Sequence, residues 1–273
     1  MNGVDGQVPD LMMDKGSHNV AYDSAITRGP ARVWEWIADP LIENIYGPIA
    51  EKNHTLGVVA VNGTLTLPRI PLEYGFGRLY EYGLYRKDTL GKVLANVAIV
   101  GKLGTEASDG IDGPVARGTD TASQIGAILD PAADMYGAYD SGKRIKTQAR
   151  AEGDFLTVAL MNIRLGVDAG IAIASGAELL AQNKLKTMGH EVPDNERAKA
   201  GVPGKIKFTL SAPATTAHLA SYNTDNADAA KKLIRTGQTL TGASIVAGVI
   251  SIAQHSRSAV KKWRLVRELQ KAA

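Results

Sequence analysis

At 273 residues the chain is long enough to bury a sizeable core, as one large domain or two small ones. Lys+Arg 31 against Asp+Glu 28 leaves a formal charge of +3, too mild to announce a nucleic-acid binder. Cysteine is absent, which excludes disulfide frameworks, thiolate-bound zinc and thiol nucleophiles.

Residues 1–30 read as a polar, loosely held extension, and Met1–Tyr22 lacks the apolar run behind a basic head that a secretory signal needs, so a cytosolic working face is expected. Val33–Ala50 places apolar residues at helical spacing, with Trp34 and Trp36 near its start and breaks at Pro40 and Pro48. It reads as a core-facing amphipathic helix or as an interfacial one with its indoles at headgroup level. Helical patterns follow at 57–84, 90–117, 121–147, 154–183, 206–222 and 235–270, while strand-type alternation is scarce. The expected fold is therefore all-α: a six-helix bundle of membrane type over 55–273, preceded by an extension over 1–54 that holds the amphipathic helix. Loops are expected at Arg86–Asp88, at the basic Ser141–Gly153 and at Asn183–Gly204.

Hydropathy is ambiguous. A spanning helix needs about 20 predominantly apolar residues, and no stretch meets that cleanly. Thr236–Ser256 is free of Lys, Arg, Asp and Glu, whereas 154–178 carries Arg164 and Asp168. Both are rich in the small residues that let helices pack closely, in a membrane or in a soluble bundle, and hydropathy alone favours the soluble one. With an internal N-terminus, the basic segments Asn183–Lys207 and Ser256–Ala273 fall on the cytoplasmic side as expected. Lys143, Arg144, Lys146 and Arg150 do not, and Asp140, Lys143 and Arg144 would lie inside a spanning helix at about 2.5–3.5 kcal/mol each.

The informative stretch is 109–134, DGIDGPVARGTDTASQIGAILDPAAD. Asp109 and Asp112 are three apart, Asp130 and Asp134 four apart, and on helices each interval puts two carboxylates on one face about 5–6 Å apart. Two such pairs facing each other require compensating cations. An all-oxygen donor set without His or Cys favours hard divalent ions such as magnesium, manganese or calcium. Gly113, Gly126 and Ala116 leave room for close approach, Arg117 offers a planar cation for phosphate oxygens, and Thr119, Thr121 and Ser123 add hydroxyls. Together they describe a pocket for a phosphate ester or pyrophosphate.

The pattern D-x2-D-G-x2-A-R-x8-G-x3-D-x3-D resembles the signature of the CDP-alcohol phosphatidyltransferases, and all eight fixed positions match: Asp109, Asp112, Gly113, Ala116, Arg117, Gly126, Asp130 and Asp134. A chance match in such a chain is on the order of one in ten million. TLTLPRI at Thr64–Ile70 and GKIK at Gly204–Lys207 resemble segments of the phosphatidylglycerophosphate synthase branch, with Arg164 where a fourth-helix Arg is usual; Leu165 and Phe208 depart from that pattern. The resemblance covers about 55–270.

It implies an integral membrane enzyme with a cytoplasmic-side active site, which moves a phosphatidyl group from CDP-diacylglycerol to a small alcohol, glycerol 3-phosphate foremost, and releases CMP. By the same resemblance Asp109, Asp112, Asp130 and Asp134 bind two Mg2+ or Mn2+ ions, and Asp134 is also the catalytic base. Gly113, Ala116, Arg117 and Ser123 contact CDP, while Lys205, Lys207, Arg164 and Arg69 are candidates for the acceptor phosphate. A homodimer is implied by analogy, and no nucleic-acid partner. The alternatives are a non-catalytic or solubilised helical bundle that keeps the metal and CDP site without lipid transfer, and a homologue working at the membrane surface.

Overall fold

The computed structural model describes residues 36–121, 126–190, 192 and 201–272; the side chains of 126–128, 130, 131 and 272 lie outside the described set, as do Trp34 and the 1–30 extension. Among the described residues the chain is all-α, with no strand.

The amphipathic segment is helical from residue 36 through a π turn at Ile42–Tyr46 into α1 (Gly47–Lys52). Neither proline breaks it. Pro48 comes directly after the π turn, whose wider bonding, with Gly47 N donating to Ile42 O, takes up the N–H it lacks. Trp36 is 76 % exposed, while Ala38 and Tyr46 pack against Val61 and Val115. After Asn53, whose side chain caps it, comes α2 (His54–Val61), then a second π turn at Asn62–Thr66. Here the expected single helix over 57–84 is interrupted. Pro68 cannot donate to Thr64, and the wider turn absorbs that fault before α3 (Arg69–Arg86) begins.

Lys87, at φ 55°, ends α3, and the Asp88 side chain accepts from Gly91 N to start α4 (Thr89–Gly118). Hydrogen bonds from Arg86 hold the Asp88 carboxyl down at about 2. α5 (Gly126–Ala151) follows, then α6 (Phe155–Thr187) capped by Asp154, α7 (Val202–Ser221) and α8 (Ala227–Ala272). The expected loop at Ser141–Gly153 is helix as far as Ala151. Its basic residues had suggested solvent, yet Ser141, Arg144, Ile145 and Ala149 are buried.

α3 packs along α4 and α5, and α8 along both α6 and α7; α5 joins the halves through α6. Small residues make this closeness possible. A Cβ on Gly83 would stand 2.6 Å from the carbonyl of Gly91, so α3 and α4 approach backbone to backbone. The central cluster is Tyr80, Ala95, Ala98, Ile99, Ile145, Met161 and Leu219. Two described helices, Phe155–Thr187 and Ala227–Lys271, are long and apolar enough to cross a membrane. At 33 and 46 residues α6 and α8 run about 50 and 69 Å, beyond a bilayer core of about 30 Å. Their far ends are fastened by a buried cluster in which Glu178 accepts from Lys262 Nζ (2.6 Å) and Ser258 Oγ (2.5 Å) and pairs with His255 Nδ1 (2.6 Å).

Candidate active site

The acidic faces of α4 and α5 meet at Arg69. This residue opens α3 immediately after Pro68 and is 5 % exposed. Its Nη1 donates to Asp109 Oδ1 at 2.7 Å and lies 3.9 Å from Asp112 Oδ2, while Nη2 donates to Asp134. Carboxylates from both sequence pairs thus share one pocket. Asp112 is buried, and its Oδ2 accepts from Thr66 Oγ1 at 3.2 Å, a hydroxyl delivered by the second π turn. Asp134 is exposed. Three carboxylates around one guanidinium leave an excess of negative charge that a partly dry pocket tolerates poorly.

The donors are oxygens throughout, which fits a hard divalent cation. Among the described residues no three acidic groups chelate one ion as they stand, because Arg69 lies between them. The Asp130 side chain and all of Ser123 lie outside the described residues.

On the outer turn of α4, a Cβ on Gly113 would stand 3.1 Å from Arg117 Nη1, so the guanidinium rests against the glycine. Arg117 is exposed and Ala116 half-buried. Thr119 donates to Val115 O at 2.8 Å and shares a 2.8 Å hydrogen bond with Thr121. These two buried hydroxyls therefore fasten the end of α4.

The acceptor candidates divide. Arg69 joins the aspartates. Arg164 and Lys207 converge on Asp168: Lys207 Nζ is 2.5 Å from Asp168 Oδ1, Arg164 Nε 3.9 Å from Oδ2, and Arg164 Nη1 donates to Thr215 Oγ1 at 2.9 Å. Lys205 is half-buried, two residues before Lys207 in the first turn of α7. Glu106, one turn before Asp109, lies between the two clusters, attracted by Arg164 and repelled by Asp134. Sequence reasoning missed Thr66, Glu106 and Asp168. The i, i+4 spacing of Arg164 and Asp168 was the available signal for the last.

A second polar cluster lies further along α3 and α5 and earlier on the antiparallel α4. Lys102, 2 % exposed, donates to Glu73 at 2.5 Å and to Asp140 at 3.1 Å; Thr105 also donates to Glu73. Arg144 bonds both oxygens of Asp140 and reaches Glu81. The charges on α5 that looked unfit for a membrane are thus paired inside the bundle, apart from Lys143, which is exposed.

The model for the CDP-alcohol phosphatidyltransferase family matches residues 93–249, which hold both acidic pairs, all of α5, α6 and α7, and the first half of α8. No curated protein and no solved structure matches the chain.

Proposed function

The chain belongs to the CDP-alcohol phosphatidyltransferase family, enzymes that transfer a substituted phosphate group from a CDP-alcohol to an alcohol acceptor, and from that premise we propose that it is a divalent-cation-dependent phosphatidyltransferase. Its donor is CDP-diacylglycerol, its acceptor glycerol 3-phosphate, and CMP the leaving group. The observation that supports this most is the meeting of Asp109, Asp112 and Asp134 from two helices around one cationic group. Membrane association follows from the family and from the two long apolar helices. We read the chain as integral, with its site on the cytoplasmic side, and as a homodimer.

In this reading Asp109, Asp112, Asp130 and Asp134 hold two Mg2+ or Mn2+ ions. Such ions neutralise the donor's diphosphate and the charge that develops as the phosphatidyl group moves. Asp134, the most exposed of the described signature aspartates, accepts the proton of the acceptor hydroxyl. The freed oxygen attacks the phosphorus bearing diacylglycerol, and the bond from that phosphorus to the bridging oxygen breaks. CMP departs with the bridging oxygen. Gly113, Ala116 and Ser123 give the nucleotide room and contact, and Arg117 pairs with its phosphate oxygens. Arg164, Lys205 and Lys207 receive the acceptor's phosphate, with Asp168 holding Arg164 and Lys207 in place.

Release of CMP from CDP-diacylglycerol, in mixed micelles with Mn2+ and glycerol 3-phosphate, tests the proposal. Asp134→Asn is expected to lower turnover about 10²–10⁴-fold while CDP binding survives. Full turnover by this variant, or CMP release indifferent to chelation by EDTA, defeats it.

A further inference from the structure

Arg69 occupies an unusual place for a residue expected to receive an acceptor phosphate, because the donors on its two Nη atoms point at carboxylates from two different helices. A planar guanidinium can bridge in this way, Nη1 toward α4 and Nη2 toward α5, whereas a lysine ammonium is a single point of charge. The side chain is nine-tenths buried, so water does not replace it cheaply. Its backbone is held between Pro68 and Pro71 at the head of α3, which leaves the side chain as the movable part. Exposed Asp134 marks the open side of the pocket.

We propose that Arg69 is a built-in competitor at the cation site, its guanidinium and a divalent ion being alternative partners for the same oxygens of Asp109, Asp112 and Asp134. This rests on the cation-dependent reading of the site. A divalent ion brings twice the charge of the guanidinium but must first displace the Arg69 hydrogen bonds and salt bridge. Arg69 therefore sets the cation concentration at which the site loads. The same displacement frees its N–H donors, so Arg69 becomes able to meet a phosphate only once the cation has entered. Cation loading and acceptor recognition are thereby put in order by one residue.

The test uses Mn2+ alone, titrated into the full-length protein in nanodiscs, with free Mn2+ read by electron paramagnetic resonance in the absence of either substrate. Arg69→Gln is expected to bind Mn2+ about ten-fold more tightly than the wild type, since hydrogen bonds to charged partners no longer oppose entry. Arg69→Lys, which keeps the charge but loses the fork, is expected to tighten binding about three-fold. Unchanged or weaker binding by Arg69→Gln overturns the proposal. If that variant is not monodisperse on size exclusion, Arg69→Lys decides on the same terms. Asp109→Asn separates the two ideas. Loss of Mn2+ binding there, with no tightening in the Arg69 variants, leaves the cation site standing and removes the competitor; binding indifferent to Asp109→Asn removes both.

Discussion

Thr66 has no chemistry of its own to offer, yet its hydroxyl holds one oxygen of a buried carboxylate that the proposed mechanism requires. Residues that orient metal-ligating groups without touching the ion typically change affinity by about 10–100-fold when removed. Thr66→Val, nearly isosteric, is therefore expected to weaken Mn2+ binding about ten-fold while leaving the thermal midpoint close to the wild type, measured by titration and by unfolding in the same detergent. Equal Mn2+ affinity would show that the hydroxyl only fills space. The contrast with Asp109, Asp112 and Asp134 explains what was legible at this scale. The signature residues announce themselves because their spacing along one chain repeats the helical turn. Thr66 is 46 positions from its partner, and nothing in a lone threonine two residues before a proline says which carboxylate it will meet. Glu106 was hidden for the same reason, its surroundings being set by charges on other helices, whereas Asp168 had one local signal, its i, i+4 spacing from Arg164.

At the scale of the element, α5 shows how a correct helix can be given a wrong end. Its basic run from Lys143 to Arg150 looked like a solvated loop, because a sequence displays charge but not the carboxylates that answer it across a helix interface. For Arg144 the answers are Glu81 of α3 and Asp140 one turn back on α5 itself, and Asp140 also pairs with the buried Lys102 of α4, which in turn pairs with Glu73 of α3. The cluster is expected to be sensitive to the loss of one partner. Lys102→Met leaves Glu73 and Asp140 facing each other in a buried space, and should destabilise the bundle by about 3–5 kcal/mol. Thermal unfolding in detergent measures this, and adding Glu73→Gln should recover part of the loss if the two residues are coupled. Additive losses would mean that the pair is incidental. Pro68 makes the complementary point: one helix over 57–84 was expected straight through it, yet the N–H it lacks is taken up by a π turn that divides that span into two helices.

For the whole molecule, the number and order of the long helices were readable from periodicity alone, and the family from eight fixed positions confirmed over residues 93–249. The membrane was harder to read. Hydropathy counts every polar residue as a cost, whereas this bundle turns Lys102, Asp140, Arg144, Arg164 and Asp168 inward, where they pair or lie close to an opposite charge. Only two described helices remain apolar enough to span by composition. If α8 crosses the bilayer from its start near Ala227, roughly 20 residues exhaust the hydrocarbon. A bimane label at Val246, which faces outward, should then be quenched by spin-labelled lipids, while one at Glu268 should not; quenching at both positions would lay the helix flat on the membrane instead. The unbroken course of α8, braced against α6 at Glu178, also has a mechanical meaning. In that spanning arrangement it would stand as a mast about 30 Å tall above the headgroups. Where it leaves the bilayer, Gly248 packs against Val167 of α6 and Lys207 of α7, so any tilt there would be carried to its tip as a sideways sweep, and a partner grasping that tip would have leverage over α6 and α7 without entering the lipid.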